Sequence, residues 1–485
     1  MPSLFLPDEV LMQILVESVR IRTIKRALRL RLVSRRFSRM TCEAIFESGL
    51  IEMGGLQGPS YYTGTRYTRI HYSYTSTDFL QRYLVYKCTR LHDKSPQFFW
   101  AIRQVVEYIW RYRHPDSPLD RQNMELLLSR IAFLSVRGRH FDRHLRCLVE
   151  DEEPRGPIQD PSKDMNYMLL SAAAYIGDPE LVEKLLTEDE KRPRLERLCY
   201  SSSVDNCFDF LTPYQAAAHA GHVNIIKALE PRVRVGRKSF SIARYAAEAG
   251  HAHIIDLAFP PNVPLTGPSR IDTSQVLHAA CKALSNLSSE RLFIIYHQKW
   301  TRLLARLRSG AHRINNSWAY DELEFRASAG SLGILRYLLT FGIQCNPSEH
   351  SSKTMSLDWC LVREYSGILD HTHLSRLAVL AAQSGHINVV SLLLDLGADA
   401  NKAIPAACGS GSISLVGFLI DSFDKPPCRE SMQEGFLSAV ACEDHAMIHY
   451  LLDRGLELDH KSRTLALDIA KKEGLESMVH LIEQI

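Results

Sequence analysis

The chain has 485 residues, with 58 Lys and Arg against 55 Asp and Glu, and it is 45% hydrophobic and 23% charged. That length exceeds what a single hydrophobic core serves, and the composition excludes a disordered or low-complexity chain. No stretch approaches the roughly 18 consecutive apolar residues of a membrane-spanning helix, which excludes an integral membrane protein. The start, with Asp8 and Glu9, has neither the apolar run nor the small-residue cleavage site of a secretory signal, so the expected location is cytoplasmic or nuclear. The 11 Cys are odd in number and contain no CxxC pair, which fits reduced, buried small hydrophobes better than a disulfide framework or a zinc ribbon.

The near-neutral total hides an asymmetry. Residues 1–150 hold 24 Lys and Arg against 14 Asp and Glu, whereas residues 151–485 hold 34 against 41. Within the first part, Arg20 to Arg39 carries nine basic residues and no acidic one. Such a run suits nucleic acid, an acidic protein surface or a nuclear import signal. It equally suits a solvated helix face, because Leu28, Leu30, Leu32, Val33 and Phe37 are interleaved with the charges.

Residues 4–15 combine Pro7 near a helix start, Asp8 and Glu9 in the first turn, and apolar residues at helical spacing. A second helix is expected over Ala27 to Phe37 and a third over Thr41 to Phe46. Three such short helices cannot bury their own apolar faces and should pack on something else.

Leu6-Pro7-Asp8-Glu9-Val10-Leu11 with Ile14-Leu15, followed by Leu32-Val33-Ser34-Arg35-Arg36-Phe37, resembles the F-box. The resemblance covers about a tenth of the chain. It implies a trihelical module that docks a Skp-family adaptor of a cullin-RING ubiquitin ligase, with Leu6, Pro7, Leu11, Ile14, Leu15, Leu32, Val33 and Phe37 as the adaptor-binding residues. The plain alternative is an N-terminal helical cap on the rest of the chain.

From Gly54 to about Asp164 the composition turns first to Tyr, Thr and Ser, then to apolar stretches at Phe98 to Tyr112 and Met124 to Val136 that read as helices. Basic residues alternate with tyrosines around Arg66 to Tyr72, but without a surrounding nucleic-acid-binding pattern a packed connector is the better reading. The Pro- and Asp-rich run Glu150 to Asp164 marks a domain boundary.

The remainder is self-similar. Thr212 to Leu229 and Ala378 to Asn401 resemble the ankyrin repeat in their Ala-Ala, Gly-His and Leu-Leu landmarks. Weaker copies align at Gly177, Gly250, Gly330, Gly411, Glu443 and Gly474, and Leu277-His278-Ala279-Ala280 has room for a further degenerate one. The resemblance implies a solenoid of helix pairs in which small alanines let helices approach and the glycine supplies the turn. It also implies that His222, His251 and His386 bond to backbone across neighbouring turns.

Twenty His invite a search for catalysis, yet His140/His144, His371/His373 and His445/His449 lack a third ligand at metal spacing. Nucleophile-elbow, phosphate-loop and dinucleotide motifs are also missing. The expectation is therefore an all-α protein that is no enzyme and uses no cofactor or metal. Residues 1–50 form the F-box-like module, 51–164 a helical connector and 165–485 an ankyrin domain of about eight to nine repeats, with insertions near 260–318 and 345–374. The function so implied is a substrate receptor of a ubiquitin ligase whose target protein is held on the solenoid, at positions such as His219, Tyr245, Glu248, Gln383 and Lys472. The alternatives are an ankyrin scaffold or regulator without a ligase, of a kind similar to those in fungal biosynthetic pathways, and a nuclear protein acting through the basic run.

Overall fold

The computed structural model describes residues 6–21, 27–28, 30–51, 74–91, 97–136, 161–190, 210–230, 238–258, 273–308, 317–343, 371–422 and 427–485. Among them every element is helical and there is no strand. The Tyr/Thr-rich part of the connector, the 137–160 boundary with His140 and His144, and most of the 345–374 insertion lie outside the described residues.

Helix α1 (Asp8–Arg20) starts after Pro7 with its two acids in the first turn, where they complement the helix dipole. The helix expected over 27–37 does not form as one piece. A 3-10 turn, Leu30–Leu32, is followed by Ser34 in an extended conformation, and its Oγ accepts from Phe37 N at 3.1 Å. That cap restarts the chain as α2 (Arg35–Glu47), which absorbs the expected third helix. The connector supplies α3 (Tyr74–Thr89), α4 (Gln97–Arg113) and α5 (Arg121–Val136), the last two over the stretches read as helical.

Among the described residues nine helix pairs follow: α6 and α7 (Pro161–Ile176, Pro179–Glu190), α8 and α9 (Pro213–Ala220, Val223–Leu229), α10 and α11 (Lys238–Glu248, Ala252–Ala258), α12 and α13 (Thr273–Asn286, Glu290–Arg308), α14 and α15 (Ser317–Ser328, Leu332–Ile343), α16 and α17 (His371–Gln383, Ile387–Asp395), α18 and α19 (Ala400–Ser410, Ile413–Asp421), α20 and α21 (Arg429–Ala441, His445–Asp453), α22 and α23 (His460–Lys472, Glu476–Gln484). The pair α12 and α13 occupies the region expected to hold an insertion.

The α8 and α9 pair shows how sequence makes each unit. Thr212 Oγ1 accepts from Gln215 N while Gln215 Oε1 accepts from Thr212 N, both at 3.2 Å, and Pro213 sits at the first helical position. Gly221 then ends α8 in the left-handed region, and His222 opens α9. Small buried side chains such as Ala173, Ala217 and Ala246 let neighbouring first helices stack closely, while Ile225, Ile226 and Leu229 bury the second layer.

The chain forms two compact units, Met1–Pro264 and Leu265–Ile485. In the first, the N-terminal helices pack on the connector and the connector packs on the first pairs. Phe133 of α5 stacks on Tyr175 of α6, and Leu211 N donates to Leu134 O at 3.2 Å, joining α5 to the entry of α8. Arg113 of α4 reaches Asp178 in the α6–α7 turn at 2.8 Å, and Lys184 lies over the Tyr112 ring. No disulfide joins any of the six described cysteines. Burial pushes the thiols of Cys88 and Cys408 up, the latter to about 12, as inert core residues.

Candidate functional site

The N-terminal helices divide their apolar residues into two stripes. Leu11, Leu15 and Val19, on the inner stripe of α1, are buried with Met40, Ala44, Ile45 and Phe46 of α2. Leu6, Val10 and Ile14, at four-residue spacing, form the other stripe and are 40%, 41% and 46% exposed; Val33 is 64% exposed. Pro7 is exposed and Phe37 half-buried, while the Leu32 side chain lies outside the described residues. Thus Leu6, Pro7, Ile14 and Val33 are open to a partner, whereas Leu11 and Leu15 serve the module's own core. Sequence reasoning missed Val10, although its four-residue spacing from Leu6 and Ile14 carried the signal.

Arg36 ties the two ends of this face together. Its guanidinium donates to Asp8 Oδ1, through Nε at 2.8 Å and Nη2 at 2.5 Å, and also to Leu6 O. The start of α2, just after Val33, is thereby held against the segment that carries Leu6 and Pro7. The pair is partly exposed, so its contribution is about 0.2–1 kcal/mol and its main effect is geometric.

Behind this face the module is fastened to α3. Phe46 meets the rings of Phe79, Tyr83 and Tyr86 at 5.1, 5.8 and 5.5 Å. The Tyr86 hydroxyl donates to Glu47, and Arg90 lies 4.2 Å from the Tyr86 ring centroid and pairs with Glu43 and Glu47. Burial, then the bond to Glu47, raises the Tyr86 phenol well above its ordinary value, so it stays a neutral donor. The cleft beside it, about 380 Å³, is walled by Met12, Val16, Arg20, Glu47, Tyr86 and Arg90. Its charges are engaged with neighbouring ones, Arg20 with Glu17 and Arg90 with Glu43 and Glu47.

The five positions expected to read a target fall apart into two groups. His219 on α8 and Tyr245 and Glu248 on the adjacent α10 are half-buried in the first unit. The His219 ring packs 4.1 Å from Phe133, and its carbonyl accepts from His251 Nε2 at 3.0 Å. Gln383 on α16 and Lys472 on α22 are exposed in the second unit, with two first helices between their own. The cross-turn histidine bonds are present: His222 Nε2 donates to Tyr175 O at 3.2 Å and His386 Nε2 to Ser328 O at 3.0 Å, as His251 does to His219.

Among the described residues no group of three His, Cys, Asp or Glu side chains could hold a metal ion, and no helix is long and apolar enough to cross a membrane. No family model matches the chain, and no curated protein matches it significantly.

Proposed function

We propose that the protein is an interaction adaptor: its N-terminal helices dock a Skp-family adaptor of a cullin-RING ubiquitin ligase, and its helix pairs hold a target protein for modification. What carries this reading is the exposed apolar row Leu6, Val10 and Ile14 with Pro7 and Val33, on a segment whose sequence resembles the F-box. Four large apolar side chains left open beside a well-filled core form a patch that favours a partner, since removing them from water yields about 25 cal/mol per Å². The inner stripe and the fastening to α3 support the same reading, because they let the outer stripe face solvent without unfolding the module.

The helix pairs supply the second half. Within each unit stacked first helices leave polar side chains, such as Gln383 and Lys472 in the second, open to a partner, the usual basis of recognition in helical repeats. A chain that binds ligase and target together raises their effective concentration, so ubiquitin transfer needs no catalytic group here. Under this reading the protein is not an enzyme and works in the cytoplasm or nucleus.

The test is capture of purified Skp-family adaptor by the full chain and by a Leu6→Asp, Pro7→Ala double variant. Capture by the wild type and its loss in the variant support the reading. Failure of the folded wild type to capture the adaptor overturns it, and a scaffold or regulator without a ligase then becomes the better account.

A further inference from the structure

Four residues before the turn, the first helices carry a fully buried alanine: Ala173, Ala217, Ala246, Ala381, Ala407 and Ala439. In α14 that position is Arg326, only 2% exposed. The guanidinium is engaged through all three nitrogens. Nε donates to Glu322 Oε1 at 2.7 Å, Nη1 to Leu287 O at 2.8 Å and Nη2 to Leu284 O at 2.9 Å. Glu322, itself 1% exposed, also accepts from Ser285 Oγ. Arg326 therefore closes the C-terminal end of α12 with a side chain from the next pair. It does so where three other turns use histidine: the α14–α15 turn has Ser331 at the place held by His222, His251 and His386.

Polar groups also enter the second layer of this interface, among buried apolar side chains. Phe293 of α13 lies under the guanidinium at 5.0 Å and stacks on His297, and His297 Nδ1 shares a 3.2 Å hydrogen bond with the Tyr337 hydroxyl of α15. Glu290 at the start of α13 lies so close to α15 that a Cβ on Gly333 would collide with its carboxylate. Within the second unit α14, α16, α18, α20 and α22 stack closely in sequence, whereas among the described residues α12 meets α14 through the Arg326 and Glu322 side chains.

Polar contacts recover partners in water when an interface opens, and apolar contacts do not. A hydrogen bond adds little net stability, because water offers the same groups partners, and the desolvation of a buried ion pair offsets much of its attraction. We propose that the interface between α12–α13 and α14–α15 is a built-in point of opening, a polar seam at which α12 and α13 detach together while α14–α23 stay folded, with Arg326 as the latch. This conformational device is independent of the ligase reading and stands or falls on its own measurement.

Native-state hydrogen exchange of the full chain tests it. In the wild type at low denaturant, the amides of α12 and α13 should open as one group, with protection about tenfold or more below that of α16–α20. Arg326→Ala leaves Glu322 buried without its charge partner and should lower α12–α13 protection by a further 10²–10³-fold, on the order expected for a broken buried pair, with little change in α16–α20. Three outcomes overturn the proposal: α12–α13 opening together with α16–α20 in the wild type, an equal loss across the whole unit in the variant, or no loss at all. The wild-type measurement decides the question even if the variant does not fold.

Discussion

Gly177→Ala tests how the cross-turn histidine depends on the turn before it. Gly177 has φ +83°, where an L side chain is strained by about 1–2 kcal/mol. A Cβ added there would stand 2.6 Å from Nε2 of His222 and closer still to its Cε1. The imidazole must leave, and its 3.2 Å bond to Tyr175 O goes with it, a loss of about 0.5–1.5 kcal/mol. Gly177→Ala should therefore cost about 2–3 kcal/mol, and His222→Ala about 1 kcal/mol, since it loses the bond without the strain. In the double variant the bond is lost only once and the clash is gone, so the pair should cost no more than Gly177→Ala alone, a coupling of about 1 kcal/mol. Exchange of the α6–α9 amides reads all three variants. Strict additivity, or a Gly177→Ala cost below about 0.5 kcal/mol, would mean that the His222 bond does not depend on the Gly177 turn.

Leu15 is 1% exposed, so Leu15→Ala should destabilise the N-terminal helices by about 2–5 kcal/mol, read from exchange of α1 and α2; wild-type protection would contradict its place in the core. Glu443 ends α20 at φ +55°, where its counterparts are glycine, and Glu443→Gly should stabilise the second unit by about 1 kcal/mol in urea titration, with a loss of stability as the contrary result. Burial holds the His297 imidazole down to about 4, against the ordinary 6.5. A depressed value means the neutral form belongs to the fold, so its contribution is complete above 6.5 and is lost as pH falls toward and through about 4. Opening of the α13–α15 contact should rise over that interval, and His297→Gln should flatten the dependence; an unchanged profile would remove His297 from the account.

Much of the helical plan was legible because it rests on periodic burial. The Leu11, Leu15 and Val19 spacing and the glycines before His222, His251 and His386 each mark a local geometric requirement. The break at Ser34 was not legible: the apolar pattern runs through it, and a hydroxyl cap interrupts the backbone without disturbing that pattern. Pattern alone also could not sort Leu11 and Leu15 from Ile14, since neighbouring stripes of one helix look alike until the fold shows which of them α2 covers. The α12–α13 pair escaped a firm landmark because Leu287-Ser288-Ser289 replaces the glycine turn, and the tie that compensates, Arg326, lies about forty residues away in sequence. His219 was read as a recognition residue, and its ring and carbonyl also take part in packing between helices, which only the neighbouring Phe133 and His251 reveal.

The central claim is that the exposed stripe of α1 docks a ligase adaptor. Calorimetric titration of purified Skp-family adaptor into the full chain tests it most directly, with Ile14→Asp as the partner measurement, because Ile14 is open to solvent and its replacement leaves the core intact. The expected result is saturable one-to-one binding by the wild type and a loss of about tenfold or more in affinity for Ile14→Asp, as when a charge enters a buried apolar contact. The absence of binding by the folded wild type, or equal affinity for the two proteins, would contradict it.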